Sequence, residues 1–410
     1  MNAIPTVAEM RSALLRVDAR TADWSEHVRP HKTPKYQTTT YRFRNPAEMR
    51  EAFAGQLLLD AYSLLSNPNY RALEAKLAIL EQGEAAQVCA AGRSAIQATL
   101  YALSSPGETI VVHEELYGGT YDILRFLCKD ERKIVFVNAQ DAKAVAEAIE
   151  IDETTSIILI ESPTNPSLQI IDIAAVDGAV TSAHRDITVV VDNTFATPFN
   201  QRPLTLGKNV LVIESLTKYL NGKGTYFGGG IIGAKTIIDR IYQRAVLAPM
   251  DPGVAWEIGE NLIDFFQAMP IHNRNAWEIA HFLAGDIRIA QLYYPGLIFH
   301  RNHDIAVKQM RALDGGISFG GMVSFELHGT KEDAERFIDF FEEHGTFITH
   351  AVSLGSRDSL IEMPSCGTHS ARKGKAISET FVRFSVGIEN HDDLKQEIHA
   401  ALTHAFPAWV

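Results

Sequence analysis

Cysteine is scarce in these 410 residues: Cys89, Cys128 and Cys366 are odd in number and far apart. With no CxxC pair, neither a disulfide framework nor a zinc ribbon is indicated. Basic residues are also outnumbered, 38 Lys and Arg against 50 Asp and Glu, leaving a net charge of −12 with His neutral. A general binder of nucleic-acid phosphates rests on Lys and Arg, so that class is excluded, although a local basic pocket for a small anion is not. No apolar run approaches the ~20 residues that span a bilayer. The polar opening MNAIPTVAEMRSALLRVDARTADW lacks the apolar centre of a secretory leader. These absences point to a cytoplasmic protein with reduced thiols and neither a membrane nor a nucleic-acid partner. Metal ligands are lacking too: His300 and His303 stand at i, i+3 with no third ligand in view. The Gly-rich GKGTYFGGGIIG lacks a strand–GxGxxG–helix context and reads as freedom for the backbone to turn after Lys218.

What is present fits a globular enzyme. The chain is 46% hydrophobic and 21% charged, and its length suits two or three domains at roughly 100–200 residues each. Residues 1–68, with Pro30, Pro34 and the polar TPKYQTTTYRF, show no clean strand–helix alternation and read as an arm. From 69 to 268, apolar runs alternate with helical stretches: TIVVH, KIVFV, SIILIE, ITVVVD and VLVIE, with DAKAVAEAIE among the helices. That pattern predicts an α/β domain with a mostly parallel sheet covered on both faces. From 269 to 410 the amphipathic AWEIAHFLAGDIRIAQL and KEDAERFIDFFEEH flank the alternating GGMVSFELHG, followed by FVRFSVGIE and DDLKQEIHAALTHAF. This predicts a smaller α+β domain.

Open parallel sheets bind ligands beyond the carboxyl ends of their strands, which directs attention to the residues that follow each apolar run. Asn165 follows SIILIE, Asp192 ends ITVVVD, and Ser215, Thr217 and Lys218 follow VLVIE. Asn165 and Asp192 are 27 residues apart, and Asp192 and Lys218 26, each enough for one strand–crossover–strand unit. An amide, a carboxylate and an amine are thereby delivered to one crevice. Gly92 opens the helical AAGRSAIQATLYAL, where free N–H groups and close approach suit a phosphate. Tyr117, after TIVVH, offers an aromatic face to a flat ring. Each residue alone has an ordinary use, as turn former, cap, surface amine or packing ring. Together they are what pyridoxal 5′-phosphate (PLP) needs: an amine to form the imine, a carboxylate for the pyridine nitrogen, a dianion site and a stacking partner.

The segments ELYGGTYD, ESPTNPSLQIIDI, DNTFATPF, ESLTKYLNGKGT, VSLGSRDSLIEMPS with THS, and VRFSVGIE closely resemble the trans-sulfuration family of PLP enzymes, from about residue 58 to 400. That family includes cystathionine γ-synthase, cystathionine β- and γ-lyases and methionine γ-lyase. The resemblance implies the aspartate-aminotransferase-like fold (fold type I), a homotetramer built as a dimer of dimers, and a 1–68 arm that contributes to the neighbouring subunit. It implies that Lys218 carries the cofactor and shuttles protons, that Asp192 pairs with the pyridinium, and that Asn165 lies near the ring hydroxyl. Gly92, the backbone of Arg93, Ser215 and Thr217 hold the phosphate. Tyr117 stacks on the ring and acts as acid or base, while Arg383 and Ser353 take the substrate α-carboxylate. The implied reaction is elimination or replacement at Cγ or Cβ of an amino acid. Transamination on the same fold, and a fold retained without catalysis, stand as alternatives.

The sequence also departs from the family. A tyrosine and an arginine two residues on usually reach the phosphate from the neighbouring subunit; here Tyr62 is present but Leu64 replaces the arginine. Arg93 stands where methionine is frequent, which suggests that its charge substitutes for the missing one; a side chain turned to solvent or to the substrate is the alternative. Glu214 occupies a position often held by histidine, and Gly119 replaces the cysteine of methionine γ-lyases. AWEIGENLIDFFQAMPIHNRNA matches the usual helix poorly. These changes gather near the expected substrate mouth and suggest a specialised γ-substituted substrate.

Overall fold

The computed structural model describes residues 5–20, 30–54, 56, 60–245, 248–316, 318–367 and 377–409. Thr368, His369 and Ser370 of the THS motif, and parts of the 1–68 arm, lie outside the described residues. The apolar runs become a seven-stranded sheet: β1 (Ala85–Cys89), β2 (Thr109–His113), β3 (Lys133–Val137), β4 (Thr155–Glu161), β5 (Thr188–Asp192), β6 (Val210–Ser215) and β7 (Gly229–Gly233), in the order β1-β7-β6-β5-β4-β2-β3. β7 runs antiparallel to both neighbours and the remaining pairs are parallel. Helices cover both faces, so the central strands carry consecutive apolar residues through their middles. Ile157, Ile158 and Ile160 in β4, Val189–Val191 in β5, and Leu211, Val212 and Ile213 in β6 are all fully buried. Each such side chain contributes about 1.5–3 kcal/mol of transfer free energy.

The glycine-rich stretch after Lys218 does more than turn. Gly222 and Gly224 adopt positive φ, +65° and +63°, as a turn requires. GGIIG then forms β7 itself. A Cβ on Gly229 would overlap the Ala91 carbonyl. The missing side chain is what lets the loop before helix Gly92–Leu103 cross the sheet edge.

A second sheet holds β8 (Ile289–Tyr293), β9 (Met322–Leu327), β10 (Ile348–His350), β11 (Ser359–Glu362) and β12 (Phe381–Ser385), ordered β10-β11-β12-β9-β8. Helix Pro252–Ala284 links the two layers. Leu262, Phe265, Phe266 and Met269 bury in the core of the large sheet, whereas Ala276, Ile279, Ala280 and Leu283 bury in that of the small one. The division expected at 268/269 therefore falls inside a helix, close to where its apolar face passes from one core to the other. AWEIAHFLAGDIRIAQL is not one amphipathic element: Gly285 caps the helix, Arg288 pairs with Asp286 at 2.6 Å, and IAQLY pairs as β8.

In the N-terminal region, helix Val7–Arg20 buries Met10 and Leu14 in the core of its own chain. Lys32 and Lys35 then run along helix Pro252–Ala284, paired with Glu260 and Glu257. The segment from 46 to 66 instead exposes Met49, Phe53, Tyr62, Leu64 and Leu65.

Candidate active site

Register brings three strand ends level. Glu161 at the end of β4 lies opposite Asp192 at the end of β5, and Asp192 lies opposite Ile213 of β6. The turn after β6 is closed by the Lys218 N–H donating to the Ser215 carbonyl at 3.1 Å. Thr217 accepts from the Gly228 N–H at 3.1 Å. Helix Gly92–Leu103 begins directly against this turn: a Cβ on Gly92 would sit 2.9 Å from Ser215 Cβ and 3.0 Å from its Oγ. Among the described residues no side chain caps this helix. Its first N–H groups therefore remain free for an anion.

These residues line one cavity of about 360 Å³, which opens between the two sheets. Gly92, Arg93, Tyr117, Asn165 and Asp192 are at its wall, as are Ser215, Thr217, Lys218, Ser353 and Arg383. Of the expected site residues only Tyr62 is not there; its side chain is exposed at the surface of the 46–66 segment.

Lys218 Nζ donates to Ser353 Oγ at 2.6 Å. Burial pushes its amine down to about 8, helped by the Arg383 charge and opposed by Glu362. Ser353 holds φ +95°, a conformation unfavourable for a residue with a Cβ. That twist turns its hydroxyl to Lys218 while its carbonyl accepts from Arg383 Nη2 at 3.1 Å. Arg383 Nη1 donates to Asn165 Oδ1 at 3.0 Å, and Nη2 pairs with Glu362 at 2.5 Å. Arg383 and Glu362 are directly opposite on β12 and β11, so the strand pairing fixes the ion pair.

Asp192 accepts from the Thr194 N–H at 3.0 Å, yet burial still raises its carboxyl above the ordinary range. Glu161 accepts from the Tyr117 N–H at 2.7 Å and fixes the start of helix Gly118–Lys129. Burial, and then Asp192, push Glu161 well above the usual carboxylate range. Behind Asp192 lies a second acidic pair. Asn193 Nδ2 donates to Glu81 at 2.8 Å and to Glu214 at 3.1 Å, and all three side chains are buried. Burial raises both carboxyls, and the nearby Glu81 raises Glu214 further.

Sequence reasoning did not identify Glu161, Glu362 or Glu81. Glu161 had a signal, since it ends a strand at the same level as Asp192. Glu362 and Glu81 acquire their partners only through β11–β12 pairing and the packing of helix Pro68–Glu81.

The family described as Cys/Met metabolism PLP-dependent enzyme matches residues 16–403. The chain is 36% identical over 382 residues to an L-methionine gamma-lyase of Pseudomonas putida, covering 90% of this chain and 92% of that protein. It is 35% identical over 378 residues to a cystathionine beta-lyase of Lactococcus lactis subsp. cremoris, covering 90% and 93%. Among solved structures, cystathionine gamma-lyase from Lactobacillus plantarum, complexed with L-serine, superposes with a TM-score of 0.85 at 31% identity, over 97% of this chain and 99% of that one. Cystathionine gamma synthase from Xanthomonas oryzae pv. oryzae, in complex with cystathionine, gives 0.86 at 30%, over 97% and 98%. A buried lysine amine and a carboxylate at adjacent strand ends, on a fold shared along nearly the whole chain with these enzymes, lead to one assignment: the chain belongs to the Cys/Met metabolism family of PLP-dependent enzymes, with the fold-type-I architecture.

Proposed function

We propose that this protein is a lyase or replacement transferase acting at Cγ, or Cβ, of an amino acid, with PLP carried on Lys218. The donor set fits that group. The uncapped helix start at Gly92 and Arg93, with the Ser215 and Thr217 hydroxyls, suits a phosphate dianion, and the missing Cβ of Gly92 leaves the room. Asp192, raised by burial, is the carboxyl that a pyridinium N–H would restore to its ionised form. Tyr117 borders the same cavity for stacking, and Asn165 reaches it from the loop after β4.

When bound, PLP withdraws electrons from the substrate Cα. The chain does the rest. Arg383 is held by Asn165, the Ser353 carbonyl and Glu362, and presents its remaining N–H donors to the α-carboxylate. Lys218, lowered to about 8, is free amine in useful amount near neutrality and takes the Cα proton. The Ser353 hydroxyl aims Nζ. Tyr117, pinned through its N–H by Glu161, supplies a proton to the departing group. The observation that carries the reading is the buried, depressed Lys218 amine at the mouth of β6, one strand from Asp192. Exposed Met49, Phe53, Leu64 and Leu65 beside Tyr62 support a homotetrameric assembly that covers them. The free thiols of Cys128 and Cys366, both exposed, support a cytoplasmic setting.

The test is a screen of O-acyl homoserines, cystathionine and methionine for oxoacid and ammonia release, or for a replacement product. Wild-type turnover that is lost in Lys218→Ala supports the reading. Amino transfer without ammonia would replace it with transamination, and no product from PLP-loaded protein would leave a fold without catalysis.

A further inference from the structure

Arg93 is the second residue of helix Gly92–Leu103, and its backbone and side chain serve different neighbours. The helix start at Gly92 faces the Ser215 turn. The side-chain stem crosses Gly119: a Cβ there would lie 3.2 Å from Arg93 Cδ and would overlap the Tyr117 ring. Gly119 thus makes the space through which the Arg93 stem passes beside Tyr117. The guanidinium is 54% exposed, and its nearest acid is Asp122 at 3.7 Å, beyond hydrogen-bond reach. Arg125 shares that carboxylate, also at 3.7 Å. Among the described residues the Arg93 side-chain donors make no hydrogen bond. Arg93 lines the same cavity as the exposed apolar Phe227 and Val352. Deeper inside, Arg383 is already neutralised by Glu362.

We infer that the Arg93 side chain selects substrates whose distal end, beyond Cγ, carries an anion, a carboxylate in the first instance. This rests on the reading of the cavity as an amino-acid lyase or transferase site. A zwitterionic head is met by Arg383 inside, and a second cation with unused donors meets a negative tail at the mouth. The planar fork suits a carboxylate in a way that the common methionine at this position does not. The position of the guanidinium, toward Asp122 and Gly119, argues for substrate rather than for replacing the cofactor-phosphate charge lost at Leu64.

The experiment measures binding to PLP-loaded protein, independent of turnover. L-2-Aminoadipate and L-norleucine have the same chain length and differ in the distal carboxylate. Calorimetry should show wild type binding the dicarboxylate about ten- to a hundredfold more tightly, the range of one charge-assisted contact. Arg93→Met should bring the two ligands to parity, Arg93→Lys should restore part of the preference, and both variants should keep PLP through dialysis. Equal affinities in wild type overturn the inference. So does an Arg93→Met variant that loses PLP while keeping its preference for the dicarboxylate, since the guanidinium then serves the phosphate. Failure of the lyase reading is seen separately, as absence of oxoacid or replacement product.

Discussion

Glu214→Gln should make the protein more stable at alkaline pH and flatten its pH dependence. In the wild type Glu81 and Glu214 share one amide donor, Asn193 Nδ2, with both side chains only 1% exposed. Burial lifts Glu81 to about 7, and Glu214 rises well above the ordinary 4.5. The sign follows from linkage. A folded-state value above the unfolded one means that the folded chain holds the proton longer, so stability is greatest below the unfolded value and falls as pH rises through the folded one. Each pH unit over which the folded chain alone keeps one proton costs about 1.36 kcal/mol. The pair therefore loses stability as pH rises from the ordinary carboxylate range toward the alkaline side. A glutamine at 214 removes the like charge and supplies a donor to Glu81. Urea unfolding of wild type and variant from pH 5 to pH 8.5 should show the variant gaining about 1–3 kcal/mol relative to wild type at the alkaline end and no advantage at pH 5. Parallel pH profiles for the two proteins would refute the reading of Glu81 and Glu214 as a buried, mutually raised pair.

Two further outcomes test the cofactor cradle. Asp192→Ala should cut turnover by orders of magnitude in protein that still contains PLP, because the pyridine nitrogen then loses its proton; near-normal turnover with PLP bound would reassign Asp192. Gly92→Ala places a Cβ 2.9 Å from Ser215 Cβ and crowds the proposed phosphate site. It should release PLP on dialysis while far-UV circular dichroism stays unchanged, and full PLP retention would place the phosphate elsewhere.

The sequence displayed most of what positions the site because the information is local. Strands such as ITVVVD and VLVIE are continuous apolar runs bounded by turn residues, and the groups that end them, Asp192 and Lys218, are brought level by parallel register. What was not legible depends on distant partners. β7 is built largely of glycine, so it has no side-chain periodicity, and only its neighbours β1 and β6 make it a strand. Glu362 looks like an ordinary strand carboxylate until β11 pairs with β12 and sets it against Arg383. The left-handed backbone of Ser353 is imposed by Lys218 and Arg383 from opposite sides, and no residue preference announces it. Helix Pro252–Ala284 hides the boundary between the layers because one apolar stripe serves two cores in turn.

The central claim is that PLP is carried by Lys218. Protein incubated with PLP, reduced with borohydride and digested should yield one pyridoxyl-labelled peptide, and that peptide should contain Lys218. Lys218→Ala treated identically should yield none. A label on another lysine, such as the nearby Lys223, or undiminished labelling of Lys218→Ala, would contradict the account.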